Sequence, residues 1–85
     1  MTREVQQIRG IPLWLMQDYL VELGGVVEED GRVLGNGWTA TLTKLEPFRL
    51  GSLRVGQVEL ILEGDPQTLA EFKPLLEKKT MRAGA

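Results

Sequence analysis

The side chains in this chain that could do chemistry at neutral pH are carboxylates and amines. Glu28, Glu29 and Asp30 follow one another, and Glu59 and Glu63 fall on one side of an apolar alternation. Two carboxylates at a fixed separation can serve as acid and base in glycoside hydrolysis, and a cluster can hold a hard cation. Their usual complements are missing: the chain has no histidine and no cysteine, and Ser52 is its only serine. Proton transfer near pH 7, thiolate attack and transition-metal ligation mostly recruit those side chains. A nucleophilic serine also needs a base beside it. A stand-alone enzyme is therefore not expected, and no catalytic residue, cofactor or metal ligand is assigned. The acidic run falls where a tight turn is predicted, which is the ordinary solvated tip of a hairpin. The glycines at 35, 37, 51 and 56 lack the strand–loop–helix setting of a phosphate cradle. Lys78, Lys79 and Arg82 suit the negative end of a helix.

The elements that must position these groups are bounded by composition. Residues 1–85 are expected to form a single domain, which at this size buries somewhat over ~60% of its unfolded surface. Disulfides and zinc are unavailable to reinforce so small a core, so self-association, as a homodimer, becomes the favoured support. A hydrophobic share of 42% and a charged share of 26% are those of an ordinary globular protein. The net charge of −2 gives no basic footprint, so nucleic acid is not expected as a partner. No apolar run approaches the ~18 residues of a membrane span, and the first residues have no secretory apolar core. A cytoplasmic location is the expectation. The scarcity of Cys, Asn and Met fits a thermophile.

Residues 3–9 read as a strand with Val5 and Ile8 facing inward. Residues 12–23 read as a helix: Pro12 suits the first helical position and Gly24-Gly25 a left-handed stop. At about 100° per residue, Leu13, Met16, Tyr19, Leu20 and Leu23 form its core stripe. Asp30-Gly31 is a two-residue hairpin signal between residues 26–29 and 32–34, and Gly35-Asn36-Gly37 marks a bulge or a second turn. Residues 38–63 read as one long hairpin. Pairing Leu42 with Val58 and Ala40 with Leu60 sets Trp38 against Leu62, Leu45 against Val55 and Pro47 against Leu53. In that register the apolar parity flips near Lys44 and Gly56 on both arms, so the base covers the core and the tip faces the other way. Asp65-Pro66 opens a second helix, with Leu69, Phe72 and Leu76 inside and a kink or break at Pro74. Residues 78–85 are expected to fray or to add a short strand. The fold class is α+β: a curved antiparallel sheet of four or five strands with two helices on one face, ordered βαβββα or βαββββα.

Two surfaces look unfinished. Trp14 and Val21 fall together on a side of the first helix away from its core stripe, and large aromatics anchor interfaces. The hairpin tip gathers Leu45, Leu53 and Val55, with Phe48 and Leu50 in its loop and Arg49 and Arg54 among them. So much apolar surface on a protrusion calls for a second copy or another protein. These eight residues are the candidate interaction site of a non-enzymatic binding module. The alternative is a small-ligand site on the open sheet face, using Lys44, Arg54 and Glu59.

The run Ile11-Pro-Leu-Trp-Leu-x-x-Asp-Tyr-Leu-x-Glu-Leu-Gly-Gly25 is followed by Gly37-Trp-x-Ala-x-Leu42, Gly51-Ser-Leu-x-Val-Gly56 and Glu63-Gly-Asp-Pro66. Together they resemble a small bacterial domain of unknown function, associated with thermophiles. It forms the C-terminal half of proteins related to MoaD, the small sulfur-carrier subunit of molybdopterin synthase. The resemblance implies a fold similar to one half of the TATA-box-binding protein, and an accessory role near molybdenum-cofactor or sulfur-transfer machinery. It implies neither carrier chemistry, since the tail reads Ala83-Gly84-Ala85 and not Gly-Gly, nor DNA binding, which needs a basic concave face.

Overall fold

Turn chemistry divides the chain into five strands and two helices. The computed structural model describes the backbone of residues 1–84 and the side chains of residues 1–81. In order the elements are β1 (Thr2–Arg9), α1 (Leu13–Glu22), β2 (Val26–Val27), β3 (Val33–Gly35), β4 (Trp38–Leu50), β5 (Leu53–Gly64) and α2 (Pro66–Gly84). All five strands form one antiparallel sheet ordered β1-β5-β4-β3-β2, which makes the fold α+β. The glycines at 35–37 do split the middle strand: Gly35 pairs with Trp38, and Asn36-Gly37 is the two-residue turn between β3 and β4. Gly37 takes φ +85°, a conformation that glycine adopts without penalty.

One face of the sheet carries Ile8, Trp38, Ala40, Leu42, Val58, Leu60 and Leu62 by register, and both helices pack there. Met16 and Leu20 of α1 and Leu69, Phe72 and Leu76 of α2 are buried against it. The Trp38 and Phe72 ring centroids lie 4.3 Å apart, and the Trp38 side chain is 6% exposed. Pro12 is the N-cap of α1, one position earlier than its predicted place; its carbonyl accepts from the N–H groups of Leu15 and Met16, both at 3.1 Å. At the other end the Gly24 N–H donates to Val21 C=O and the Gly25 N–H to Leu20 C=O, each at 3.0 Å. Those two bonds are a Schellman stop. Asp65 caps α2, its carboxylate accepting from the N–H groups of Gln67 and Thr68.

Further expectations need correction. Val5 points to the uncovered face, where it pairs with Ile61 beside Arg3 and Gln7; one misassigned alternation in a polar strand is enough to reverse it. The base of the long hairpin is displaced by two residues, with Trp38 opposite Gly64 and Leu42 opposite Leu60, and its tip by three, with Phe48 in place of Leu45 opposite Val55 and Leu50 in place of Pro47 opposite Leu53. The two-residue shift at the base preserves every side-chain face there, and it sets Gly64 where a Cβ would press on the Gly37 carbonyl and Trp38 Cα. The β2–β3 loop is wider than two residues: Glu28 donates to Arg32 C=O at 2.7 Å and Gly31 to Glu28 C=O at 3.0 Å. Pro74 does not break α2. Both Pro74 and Ala70 are exposed, so the carbonyl freed by the missing N–H meets water. The tail, expected to fray, is helical through Gly84.

Candidate interaction surface

The hairpin of β4 and β5 runs well past the strands beside it. β3 pairs with β4 only from Trp38 to Ala40, and β1 reaches only to Gln57 of β5. Residues 41–50 of β4 therefore border an open edge. A bulge interrupts them: Leu45 pairs with Gln57 and Phe48 with Val55, so β4 spends one residue more than β5. Plain alternation already sets Leu45, Leu53 and Val55 on the side opposite the hairpin base, and the bulge at Glu46-Pro47 turns the even-numbered Phe48 and Leu50 to that same side. Leu45, Phe48, Leu50, Leu53 and Val55 all face away from the helix layer by register. Phe48 and Leu50 are strand residues, and not loop residues as expected, because the turn is only Gly51-Ser52.

Side chains brace the bulge. Gln57 donates its amide to the Glu46 carbonyl (2.9 Å) and accepts at Oε1 from Arg9 Nε (3.1 Å). The Arg9 guanidinium lies 3.9 Å from the centre of the Phe48 ring, a cation–π contact that half-covers it. Neither Arg9 nor Gln57 was foreseen; they meet through the β1–β5 register, which no local pattern reveals.

The main-chain groups of the open edge follow from alternation. Gly10 N–H donates to Gly56 C=O at 2.9 Å, so Gly56 points its main chain towards β1 and Gln57 points its own towards β4. Leu45 then points back, which leaves Leu42 and Lys44 aimed at the edge. Beyond the bulge, Pro47 and Arg49 aim there. Lysine, proline and a bulge are devices that discourage one sheet from growing onto another.

On the helix-bearing side, the overhang and the start of α1 enclose a groove of about 440 Å³. Ile11, Pro12, Leu13 and Trp14 form one wall, and Lys44, Leu45, Pro47 and residues 56–58 the other. Trp14 is 63% exposed. Further out, Arg49 and Arg54 are cross-strand partners on the helix-bearing side, and Leu50 and Leu53 are a pair on the other, 63% and 64% exposed. The structure thus sets Trp14 across the groove from the stretch of β4 that holds Leu45, and gathers Leu45, Phe48, Val55, Leu50 and Leu53 by register along the open side of the overhang. Val21 is exposed but lies two helical turns from Trp14, away from the hairpin.

The sequence model of the archaeal MoaD-like protein family matches residues 4–85. The chain belongs to that family. None of the curated proteins compared with it matches. The match runs from β1 through α2, so groove, overhang and acidic turn are all part of this MoaD-like chain.

The acidic turn is a surface feature. Glu28, Glu29 and Asp30 are exposed, and Asp30 binds Arg32 twice, through the Arg32 N–H (3.1 Å) and Nε (2.7 Å). The backbone N–H first, and the guanidinium with it, hold the Asp30 carboxyl below its ordinary value. Among the described residues no group of three acidic side chains is placed to hold a metal ion. None of their helices is long and apolar enough to cross a membrane. The three polar groups of the small-ligand alternative are not brought together: Glu59 faces the uncovered side, Lys44 and Arg54 the helix side.

Proposed function

We propose that this MoaD-like chain is a non-enzymatic accessory module acting by protein–protein contact, and that it self-associates as a homodimer through the hairpin overhang. The observation that carries this reading is apolar surface left exposed on both sides of the overhang, the groove beside Trp14 on the helix-bearing side and the Leu50–Leu53 pair on the other. Covering the exposed parts of those three side chains is worth roughly 1–2 kcal/mol each, enough for the core of a contact but not for one alone. Family membership supports a place beside molybdenum-cofactor or sulfur-transfer proteins. The non-enzymatic reading is supported by composition, and by the position of Ser52 in an exposed turn with no histidine anywhere in the chain to activate it.

Sedimentation velocity up to high micromolar concentration tests it. The wild-type chain should sediment as a dimer. Leu50→Ser combined with Leu53→Ser should release monomers whose circular dichroism matches wild type, because neither side chain touches the core. A wild-type chain that stays monomeric refutes self-association.

A further inference from the structure

Charge is spread unevenly over this acidic chain. Beyond the step where β3 stops pairing at Ala40, residues 41–57 carry Lys44, Arg49 and Arg54 against the single carboxylate of Glu46, a net of +2. The whole chain is −2, so the rest of it carries −4. The three cations share one side of the overhang. Lys44 pairs with Val58, a core residue, and Arg49 pairs with Arg54 on the face opposite Phe48 and Val55. That is the helix-bearing side. Like charges directly opposite each other across two strands are destabilising. The ion pairs of the described residues are Arg32–Asp30, Lys73–Glu4 and Lys79–Glu22, so no described carboxylate neutralises any of the three.

The groove lies on this same side. Its volume of about 440 Å³ falls within the ~300–1,000 Å³ of clefts that take ligands. Exposed Trp14 and the rings of Pro12 and Pro47 make it apolar, and among the described residues that line it Lys44 is the charged one and none is acidic. Lys44, level with Val58, marks the inner end of the groove, and the Arg49–Arg54 pair stands beyond the outer end. From Val58 to Arg54 is four residues of strand, about 13 Å at ~3.3 Å per residue. Gly56 lies midway, and nothing stands within 4 Å of where its Cβ would be, so the floor between the cations is open. An extended peptide has the same rise and turns alternate side chains to one side. Its first and fifth residues would therefore reach the two positive ends while its third meets the groove. A nucleic acid suits the site less, because a chain of net charge −2 repels a polyanion at long range.

We propose that the groove binds an extended acidic segment of a partner protein, with an apolar side chain seated against Trp14 and Pro47 between two carboxylates that neutralise Lys44 and the Arg49–Arg54 pair. This rests on the protein-contact reading above and gives the two sides of the overhang different occupants, the second copy taking the Leu50–Leu53 side. The apolar anchor supplies the burial, and the charges select which segment is accepted.

The probe is a blocked pentapeptide with glutamate at its first and fifth positions and phenylalanine at its third. Added to the wild-type chain at low salt, it should shift Trp14 emission to the blue along a saturating curve; a Trp14→Phe chain gives the background from Trp38. The same peptide with lysines for glutamates, or alanine for phenylalanine, should bind at least about tenfold more weakly. A chain carrying Lys44→Glu, Arg49→Glu and Arg54→Glu, all at exposed sites and checked by circular dichroism, should reverse the preference and take the lysine peptide. A wild-type chain that binds neither charged peptide, or both equally, overturns the proposal. So does a single strand of ten thymidines that shifts Trp14 emission at lower concentration than the glutamate peptide. The chain with Leu50→Ser and Leu53→Ser should bind the glutamate peptide as wild type does, and loss of binding in that folded chain would also overturn it. Self-association is read separately by sedimentation, so a monomeric chain that binds the glutamate peptide sinks the homodimer alone, and a dimer that ignores the peptide sinks this site alone.

Discussion

Gly35→Ala tests the packing on which the fold depends. A Cβ at Gly35 would fall on Cε2, Cζ2 and Nε1 of the Trp38 indole. Reaching ordinary carbon contact at ~3.5–4.0 Å would require the ring to move by roughly 1–2 Å. It has no room to do so, since Phe72 stacks on it and a Cβ at Gly25 would already lie 2.8 Å from Trp38 Cη2. Overpacking of this kind costs about 1–3 kcal/mol, and expelling the indole would cost about 3–5 kcal/mol. We expect about 3 kcal/mol, a large part of the roughly 4–13 kcal/mol available to a chain this long. The midpoint of thermal unfolding should fall by ~10–25 °C. Urea unfolding followed by circular dichroism and by Trp38 fluorescence in a Trp14→Phe background measures it, at one fixed protein concentration because dimerisation adds to apparent stability. Gly56→Ala is the control: nothing lies within 4 Å of its Cβ and its backbone is unstrained. Its effect should be small or slightly stabilising, within about 1 kcal/mol. A Gly35→Ala chain within about 0.5 kcal/mol of wild type, with unshifted Trp38 emission, would refute the packing argument.

Three further outcomes follow from the same geometry. In single-tryptophan variants held monomeric by dilution, acrylamide should quench Trp14 strongly and Trp38 weakly; equal protection of the two would contradict the placement of α1. Pro47→Val restores an N–H and a strand former at the open edge, so light scattering on warming should rise earlier than in wild type, and an unchanged onset would show that proline does not guard this edge. Asp30→Ala should narrow its stability gap to wild type as the solution is acidified. The Asp30 carboxyl is held low, so its contribution is complete above the unfolded value of about 3.9 and is lost as pH falls through the lower folded value. A gap that stays constant into strong acid would show that the Arg32 contacts contribute nothing.

What the amino-acid sequence determined by itself is whatever local chemistry controls. Pro12 and Gly24-Gly25 bound α1, Asp65-Pro66 starts α2, and the period-2 pattern assigns Trp38, Ala40, Leu60 and Leu62 to one face whatever their register. The parity change of the hairpin tip was legible for the same reason, and with it the outward direction of Leu45, Leu53 and Val55, whereas Phe48 and Leu50, read as loop residues, reach that side only through the bulge. The absence of histidine and cysteine narrowed the chemistry before any fold was known. Tertiary structure alone decided where distant segments meet. A two-residue slip preserves every face, so the apolar pattern could not separate Leu62 from Gly64 as the partner of Trp38; the close approach of Gly64 to the Gly37 and Trp38 backbone, which leaves no space for a Cβ, did. Arg9 reached Phe48 and Gln57 only through pairing between the first strand and the fifth. The groove needed the start of α1 to be laid against β4 and β5, and the step in the sheet came from β3 ending its pairing at Ala40. Side-chain direction is a property of neighbouring residues. Register, clefts and edges are properties of pairs far apart in the chain, and their free energies appear only when both members are in place.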